Sequence, residues 1–165
     1  MSYSPDRKYY FFWSGTFSQW EPCLFKIEGT TFNSAEQYMM YKKAILFNDQ
    51  NAAGLILSSD DPKQQKAIGR LIKNYDDTIW ESHREEIVYT GNEAKFSQNP
   101  KFMKKLLKTA PSLLVESSPV DTIWGVGLHK TDPLILEQKN WKGLNLLGKI
   151  LTQLRSDFLQ SQEYQ

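Results

Sequence analysis

The sequence predicts an α+β fold that is richer in helix than in strand, as one compact domain over residues 1–165. Short aromatic and aliphatic runs near the N-terminus have the composition of strands. From residue 34 onward, apolar residues recur mainly at helical spacing. The 165 residues are 40% hydrophobic and 24% charged, which suits a single hydrophobic core. These patterns do not determine the strand order.

Three strands are expected. The first two cover Tyr9–Trp13 and Leu24–Ile27, which are rich in aromatic and aliphatic residues, and Glu28–Thr30 supplies a turn after the second. The third, Leu113–Val115, is a short apolar run typical of a buried strand.

The helices are predicted from caps and periodicity. Asn33 is the expected N-cap of the first helix, with Glu36 three residues later to complete a capping box. Asp61 caps a helix that begins at Pro62. Gly91 is a potential interruption of the fourth helix. The predicted helices cover residues 34 to about 47, 51–57, 62–73, about 78–96, 99–108 and about 144–159.

Composition excludes several classes of function. Lys and Arg number 20 against 19 Asp and Glu, and this net charge of +1 gives no support for a broadly basic nucleic-acid-binding face. No apolar run approaches the ~20 residues that cross a bilayer. Residues 1–8 lack the apolar core of a secretory signal, so we expect a cytoplasmic protein. The single cysteine, Cys23, cannot form an internal disulfide and is expected to be a small packed residue.

No metal or cofactor is predicted. His83 and His129 have no Cys or carboxylate at metal-ligand spacing, and His83 is expected to pack on the apolar face of its helix. Gly125 and Gly127 lack the third glycine of a dinucleotide fingerprint, and no Walker-type lysine motif occurs. A Rossmann or P-loop enzyme is therefore disfavoured.

Residues 116–127 form the predicted active-site segment. The segment places the acids Glu116 and Asp121 close to Trp124, and it removes side chains at Gly125 and Gly127. This mixture suits a pocket better than a core, because a bare backbone lets a flat ligand approach closely.

Glu36 and Lys43 lie seven residues apart on the first predicted helix, which places them on nearly the same face. Their separation of roughly 10 Å along the axis suits groups that touch opposite ends of a sugar. Each has an ordinary alternative. Glu36 completes the capping box, or it serves the site. Lys43 is a solvated helix lysine, or it serves the site.

The other candidates are equally open. Asp121 is an acid, a base or a ribose-hydroxyl acceptor, or else a turn aspartate after Pro119. Glu116 is either a rim charge or an inward acid. Asn145 either presents its amide to a phosphate or caps the last helix. Trp20, beside Glu21, and Trp124 are expected to offer stacking surfaces.

Taken together, these segments resemble the NADAR superfamily, the YbiA-like N-glycosidases. The resemblance spans nearly the whole domain in five blocks that keep the family's order and spacing. The blocks are Phe17–Pro22, Phe32–Ala44, Lys95–Phe96, Glu116–Gly127 and Trp141–Gly148.

The resemblance implies hydrolysis of a C1′–N bond at ribose. The expected substrate is a phosphoribosylamino-pyrimidine intermediate of riboflavin synthesis or an ADP-ribosylated guanine, either as a small molecule or within nucleic acid. The alternative is a non-catalytic module that binds ADP-ribose or a related nucleotide. The resemblance leaves the oligomeric state open and implies no membrane partner. The implied catalytic residues are Glu36, Lys43 and Asp121, and the substrate-binding residues at positions that match the family are Glu116, Trp124 and Asn145. The remaining residues predicted to bind the substrate are Trp20, Glu21 and Gly125.

Three positions depart from the family pattern. Gln19 stands where Asn is usual, Gln37 where His is common, and Ala110 where Gly is usual after a Thr. We expect these changes to affect the choice of substrate more than the acids and the lysine.

Overall fold

The computed structural model describes residues 2–163. In chain order its elements are β1 (Tyr9–Phe12), β2 (Phe25–Ile27), β3 (Thr30–Phe32), α1 (Ala35–Leu46), α2 (Gln50–Leu57), α3 (Pro62–Gly69), α4 (Asp77–Ser97), α5 (Pro100–Lys108), β4 (Leu113–Glu116) and α6 (Leu146–Glu163). Two short 3-10 helices cover Pro133–Leu136 and Gln138–Asn140. The chain divides into a terminal unit, residues 2–18 and 101–163, and a central unit, residues 19–100.

The terminal unit is built on two parallel strands. β1 and β4 pair in register, from Tyr9 opposite Leu113 to Phe12 opposite Glu116. Both strands are rich in aromatic and branched residues, which fit a pleated, buried surface. Their buried side chains join residues of the loop that follows β4 in one core cluster, which contains Tyr9, Phe11, Val115, Val126, Leu128 and Ile135.

Helix α6 lies against β4 and contacts its backbone directly. A Cβ atom at Gly148 would clash with the carbonyl of Leu114, so glycine permits this close approach. The Thr152 hydroxyl accepts a hydrogen bond of 3.0 Å from the Leu114 N–H. The buried Arg155 guanidinium donates to the Ser112 carbonyl at 2.7 Å and to Thr109 Oγ1 at 2.9 Å. These polar contacts fix α6 along the edge of β4.

The central unit consists of four helices and a hairpin. Helix α1 packs against α2, α3 and α4. Strands β2 and β3 pair antiparallel through a turn at Glu28 (φ 50°) and Gly29 (φ 82°), a left-handed pair that matches the twist of a tight hairpin. The Phe25 and Phe32 rings stack with their centroids 5.7 Å apart. They contact α1 at Tyr38, whose ring centroid lies 5.0 Å from that of Phe32.

The α+β class is confirmed, with several corrections in detail. Strand β3 was not predicted, because Thr30 was assigned to the turn. Helix α3 ends at Gly69 and not at Lys73. Gly91 lies within α4 without interrupting it, where it faces the Tyr38 ring. His83 is exposed, with Nδ1 2.8 Å from the Ile79 carbonyl, so the prediction of a packed histidine is wrong.

Candidate active site

The start of α1 decides between the two interpretations of Glu36. The N-cap is Ser34, whose side chain accepts from the Gln37 N–H at 3.0 Å, and not Asn33 as predicted. Gln37, not Glu36, reaches back, and its Oε1 accepts from the Asn33 N–H at 2.7 Å. The capping box therefore uses Gln37, and the capping interpretation of Glu36 is wrong. Glu36 is nonetheless only 3% exposed.

Gln37 stands where the family often has His, and its side chain is fully occupied inside the unit. Its Nε2 donates to the carbonyls of Ile56 and Ser59, both at 3.1 Å. Gln37 is only 2% exposed. This residue joins α1 to the end of α2 and the turn beyond it, and it supports the helix that carries Glu36.

Lys43 is half-buried and held in place, which excludes the solvated-lysine interpretation. Its Nζ donates to the Gly69 carbonyl at 3.0 Å and lies 4.6 Å from the Tyr75 ring centroid and 5.5 Å from that of Trp80. Burial lowers the pKa of Lys43, and the nearby charge of Glu36 partly opposes this shift. The two candidate residues of α1 therefore interact electrostatically.

Gln19 lies beside Glu36. Its carbonyl accepts from the Glu36 N–H at 2.9 Å. Its Oε1 accepts from Asn92 Nδ2 at 2.8 Å, and Asn92 also donates to the Val88 carbonyl. Among residues 2–163, the buried Gln19 Nε2 and Asn92 Oδ1 have no hydrogen-bond partner. Gln19, which departs from the family pattern, thus has a buried amide nitrogen that donates no hydrogen bond.

Trp20 and Glu21, both predicted to bind substrate, lie in the central unit. The Trp20 side chain is 42% exposed, and the ammonium of Lys66 lies 6.0 Å from its ring centroid. Glu21 is partly buried. Burial raises the pKa of Cys23, and the charge of Glu21 adds to this shift. The same charge partly opposes the effect of burial, which lowers the pKa of Lys95.

Lys95 is a candidate that the sequence interpretation missed. Its side chain is fully buried, and burial lowers its pKa to about 8, against partial compensation from Cys23 and Glu21. A buried, perturbed lysine is a common mark of a functional site. The family block Lys95–Phe96 contained the signal, although no role was attached to it.

Asp121 forms a turn in the terminal unit. Its Oδ1 accepts from the N–H groups of Ile123 at 2.9 Å and Trp124 at 2.8 Å, and its own N–H donates to Ser118 Oγ at 3.0 Å. The turn interpretation is therefore correct as a description of the backbone. It also fixes the carboxylate and the Trp124 indole, which is half-buried, in one short segment.

Glu116 and Asn145 are joined through their backbones and side chains. Asn145, at φ 53°, is fully buried. Its Oδ1 accepts from the Glu116 N–H at 2.9 Å, and its Nδ2 donates to the Leu114 carbonyl at 3.0 Å. Both ends of the amide therefore hold β4, and the side chain does not cap α6.

Gly125 allows the acidic segment to close on itself. A Cβ at this position would lie 2.9 Å from the Glu116 carbonyl oxygen, 3.0 Å from the Asp121 carbonyl oxygen and 3.2 Å from Glu116 Oε2. Glu116 Oε2 is buried, so this residue is an inward acid. The terminal unit thus gathers Glu116, Asp121, Trp124, Gly125 and Asn145.

The three predicted catalytic residues divide between the units: Glu36 and Lys43 belong to the central unit, and Asp121 belongs to the terminal unit. Each unit also has a cavity of its own, about 610 Å³ in the terminal unit and about 620 Å³ in the central unit. None of the nine predicted site residues lines either of these two cavities.

Within residues 2–163, no three His, Cys, Asp or Glu side chains are arranged to hold a metal ion. Over the same residues, no helix has the length and apolar character needed to span a membrane.

The chain belongs to a known class of domain. The model of the NADAR domain matches residues 10–159, and the chain belongs to the NADAR family. The match covers parts of both units.

Relatives of known name extend this result. The chain is 44% identical over 146 residues to an N-glycosidase of Acanthamoeba polyphaga mimivirus, with 86% of each chain covered. It is 32% identical over 136 residues to the chloroplastic riboflavin biosynthesis protein PYRR of Zea mays, an alignment that covers 78% of this chain and 20% of PYRR. The NMR structure of Escherichia coli YbiA matches with a TM-score of 0.81 and 26% identity, covering 100% of this chain and 93% of YbiA.

Proposed function

We propose that this protein is an N-glycosidase that hydrolyses the C1′–N bond of a ribose-phosphate or ADP-ribose conjugate. The enzyme class has the support of relatives named N-glycosidase, among them the mimiviral protein and YbiA of Escherichia coli, which is 32% identical over 146 residues. One observation carries the assignment of residues: Glu36 is buried without serving the helix cap, and its charge acts on Lys43.

In the proposed reaction, two carboxyl groups divide the work. One, Asp121 or Glu36, acts as the general acid and gives a proton to the nitrogen that departs with the base. The other stabilises the positive charge that grows at C1′ or takes a proton from the attacking water. The water oxygen then bonds to C1′ as the C1′–N bond breaks, which yields the free base and a ribose hydroxyl.

Lys43 has two candidate roles. As an ammonium it pairs with a substrate phosphate. As a neutral amine it attacks the aldehyde of a ring-opened ribose and expels water to form an imine. The lowered pKa of Lys43 favours the neutral amine, whereas its contacts with the Gly69 carbonyl and two aromatic rings stabilise the ammonium. Borohydride trapping separates the two roles, because only the imine leaves a stable adduct on Lys43.

The proposed substrate is a phosphoribosylamino-pyrimidine or an ADP-ribosylated guanine. The name of the maize relative supports the first. The residues proposed to bind the substrate are Trp20, Glu21, Glu116, Trp124, Gly125 and Asn145.

The deciding experiment incubates the protein with a phosphoribosylamino-pyrimidine and with an ADP-ribosylated guanine oligonucleotide, and then measures free amine or base. Release from either substrate, lost in Glu36→Gln and in Lys43→Met, supports the proposal. Lys42→Met is the matched control, because Lys42 is the neighbouring lysine on the same helix. Equal loss in Lys42→Met would point to damage of α1 and not to loss of a catalytic group.

The alternative is a non-catalytic nucleotide-binding module. The Lys43 amine is already bound by a carbonyl, and Asp121 Oδ1 by two N–H groups, which is the arrangement expected of residues that only shape a pocket. A module of this kind binds ADP-ribose but releases no base. The bound ligand raises the melting temperature of the protein.

A further inference from the structure

The cavity of the terminal unit is formed by residues other than those assigned to hydrolysis. It lies along β1 and is completed by α5 and by the loop that follows β4. Its volume of about 610 Å³ falls within the range of small-molecule sites, roughly 300–1,000 Å³.

One side of this cavity is aromatic. Trp13, directly after β1, is 48% exposed despite its size. The His129 ring meets it edge-on, with centroids 5.8 Å apart and planes at 80°. Tyr10 is fixed between Tyr3 and Phe17, with edge-to-face contacts at 4.8 and 5.5 Å. These rings form a supported surface on which a flat base can stack.

The rest of the lining is basic and hydroxylic. Lys105, Lys108 and Lys130 line the cavity, and none of the described lining residues is an Asp or a Glu. Among residues 2–162, whose side chains the structure describes, no carboxylate lies within 4.0 Å of these three ammonium groups. Lys105 Nζ donates to Thr16 Oγ1, another lining group, at 3.4 Å. The site therefore offers positive charge without an internal counter-charge.

The charge of the whole terminal unit has the same sign. Residues 1–18 and 101–165 contain eleven Lys and Arg against seven Asp and Glu, a net charge of +4. Residues 19–100 contain nine against twelve, a net charge of −3. The near-neutral total thus conceals a basic unit, and the absence of a broadly basic face in the whole chain does not exclude an anionic ligand here.

We propose that this cavity binds a nucleoside phosphate, with the base stacked on Trp13 and the phosphate paired with Lys105, Lys108 and Lys130. A purely apolar ligand would leave three ammonium groups unpaired, and a simple anion would leave the aromatic side unused. The ligand is either a free mononucleotide or one nucleotide of a single strand. The proposal does not rest on hydrolysis by Glu36 or Asp121.

Calorimetric titration with AMP, with a short single-stranded oligothymidylate and with inorganic phosphate tests this inference. Trp13→Ala should weaken nucleotide binding by about fivefold or more, since base stacking on an aromatic is worth ~1–3 kcal/mol. Lys105→Ala should weaken it by about threefold or more and reduce its dependence on salt. Lys104→Ala is the matched control, an exposed lysine of the same helix outside the cavity, and should change affinity by less than about twofold.

The titrations also identify the source of the ligand. Tighter, more salt-dependent binding of the oligothymidylate identifies a single strand, whereas tighter binding of AMP identifies a free nucleotide. Three results would overturn the proposal. The first two are an absence of binding of either nucleotide at millimolar concentration, and binding that Trp13→Ala and Lys105→Ala leave unchanged. Phosphate binding as tight as that of AMP would overturn it too, because the site would then recognise an anion alone.

Discussion

Replacing Asn145 by alanine should strongly destabilise the terminal unit. The change removes the acceptor of the Glu116 N–H and the donor to the Leu114 carbonyl, and the alanine side chain replaces neither. Asn145 is fully buried, and each orphaned group costs about 1–3 kcal/mol. Its φ of 53° adds roughly 1 kcal/mol for a residue with an ordinary Cβ.

The expected total is about 3–7 kcal/mol of unfolding free energy. For a chain of this length, 1 kcal/mol corresponds to roughly 2–4 °C, so the melting temperature should fall by at least about 6 °C. Asn145→Gly separates the causes, because it tolerates the left-handed backbone but loses the same two hydrogen bonds. It should therefore remain well below the wild type.

Thermal unfolding followed by circular dichroism measures both variants. Asn140→Ala is the control, since Asn140 makes only an exposed hydrogen bond of 3.2 Å to the Leu134 carbonyl, and it should shift the melting temperature little. A melting temperature for Asn145→Ala within 2 °C of the wild type, an interval of roughly 1 kcal/mol or less, would refute the assigned role of the amide.

Three further predictions concern the central unit. Gly91→Ala should destabilise by about 1–3 kcal/mol in denaturant unfolding, because its Cβ would lie 2.6 Å from the Tyr38 ring. Gly54→Ala, which meets nothing within 4 Å, should instead stabilise by up to about 1 kcal/mol, and an equal effect of the two changes would contradict the packing argument. The folded-state pKa of Lys95, about 8, lies below its ordinary value of 10.5, so the unfolded chain binds more protons than the folded chain between these values. The free energy of unfolding contributed by this residue therefore rises with pH from about 8 to 10.5. Unfolding of Lys95→Met measured across that window should lack this rise, and an unchanged pH profile would count against it. Glu36→Gln should reduce turnover by at least about a hundredfold. Glu93→Gln, a change at an exposed position on α4, should leave turnover unaltered in the same assay. Comparable activity of the two variants would show that Glu36 takes no part in the reaction.

Much of the fold could be predicted from local signals. Asp61 followed by Pro62 marks the start of α3, and aromatic and aliphatic runs mark β1 and β4. The boundary errors arose where the signal depends on backbone geometry. Glu28 takes a left-handed conformation that its residue type rarely adopts, so the turn was predicted one residue too long and β3, which begins at Thr30, was not recognised.

The site was only partly predictable. Helical spacing placed Glu36 and Lys43 on one helix, and the structure makes them electrostatic neighbours. Both Ser34 and Gln37 are reasonable capping residues, and only their hydrogen bonds show that they cap α1 in place of Asn33 and Glu36. The complete burial of Lys95 depends on packing within the central unit, which no local pattern records.

The oxygen that holds Lys43 belongs to the main chain. A carbonyl has no proton to gain in the pH range where proteins fold, so acid that neutralises Glu36 or Asp77 leaves this tether intact. Mutation cannot delete it either, because every residue type at position 69 has the same carbonyl. A larger residue there would collide with Met40 and displace the oxygen. The hydrogen bond between the Lys43 amine and the carbonyl of residue 69 therefore persists in acid. It persists on mutation of residue 69 only if the new side chain is small.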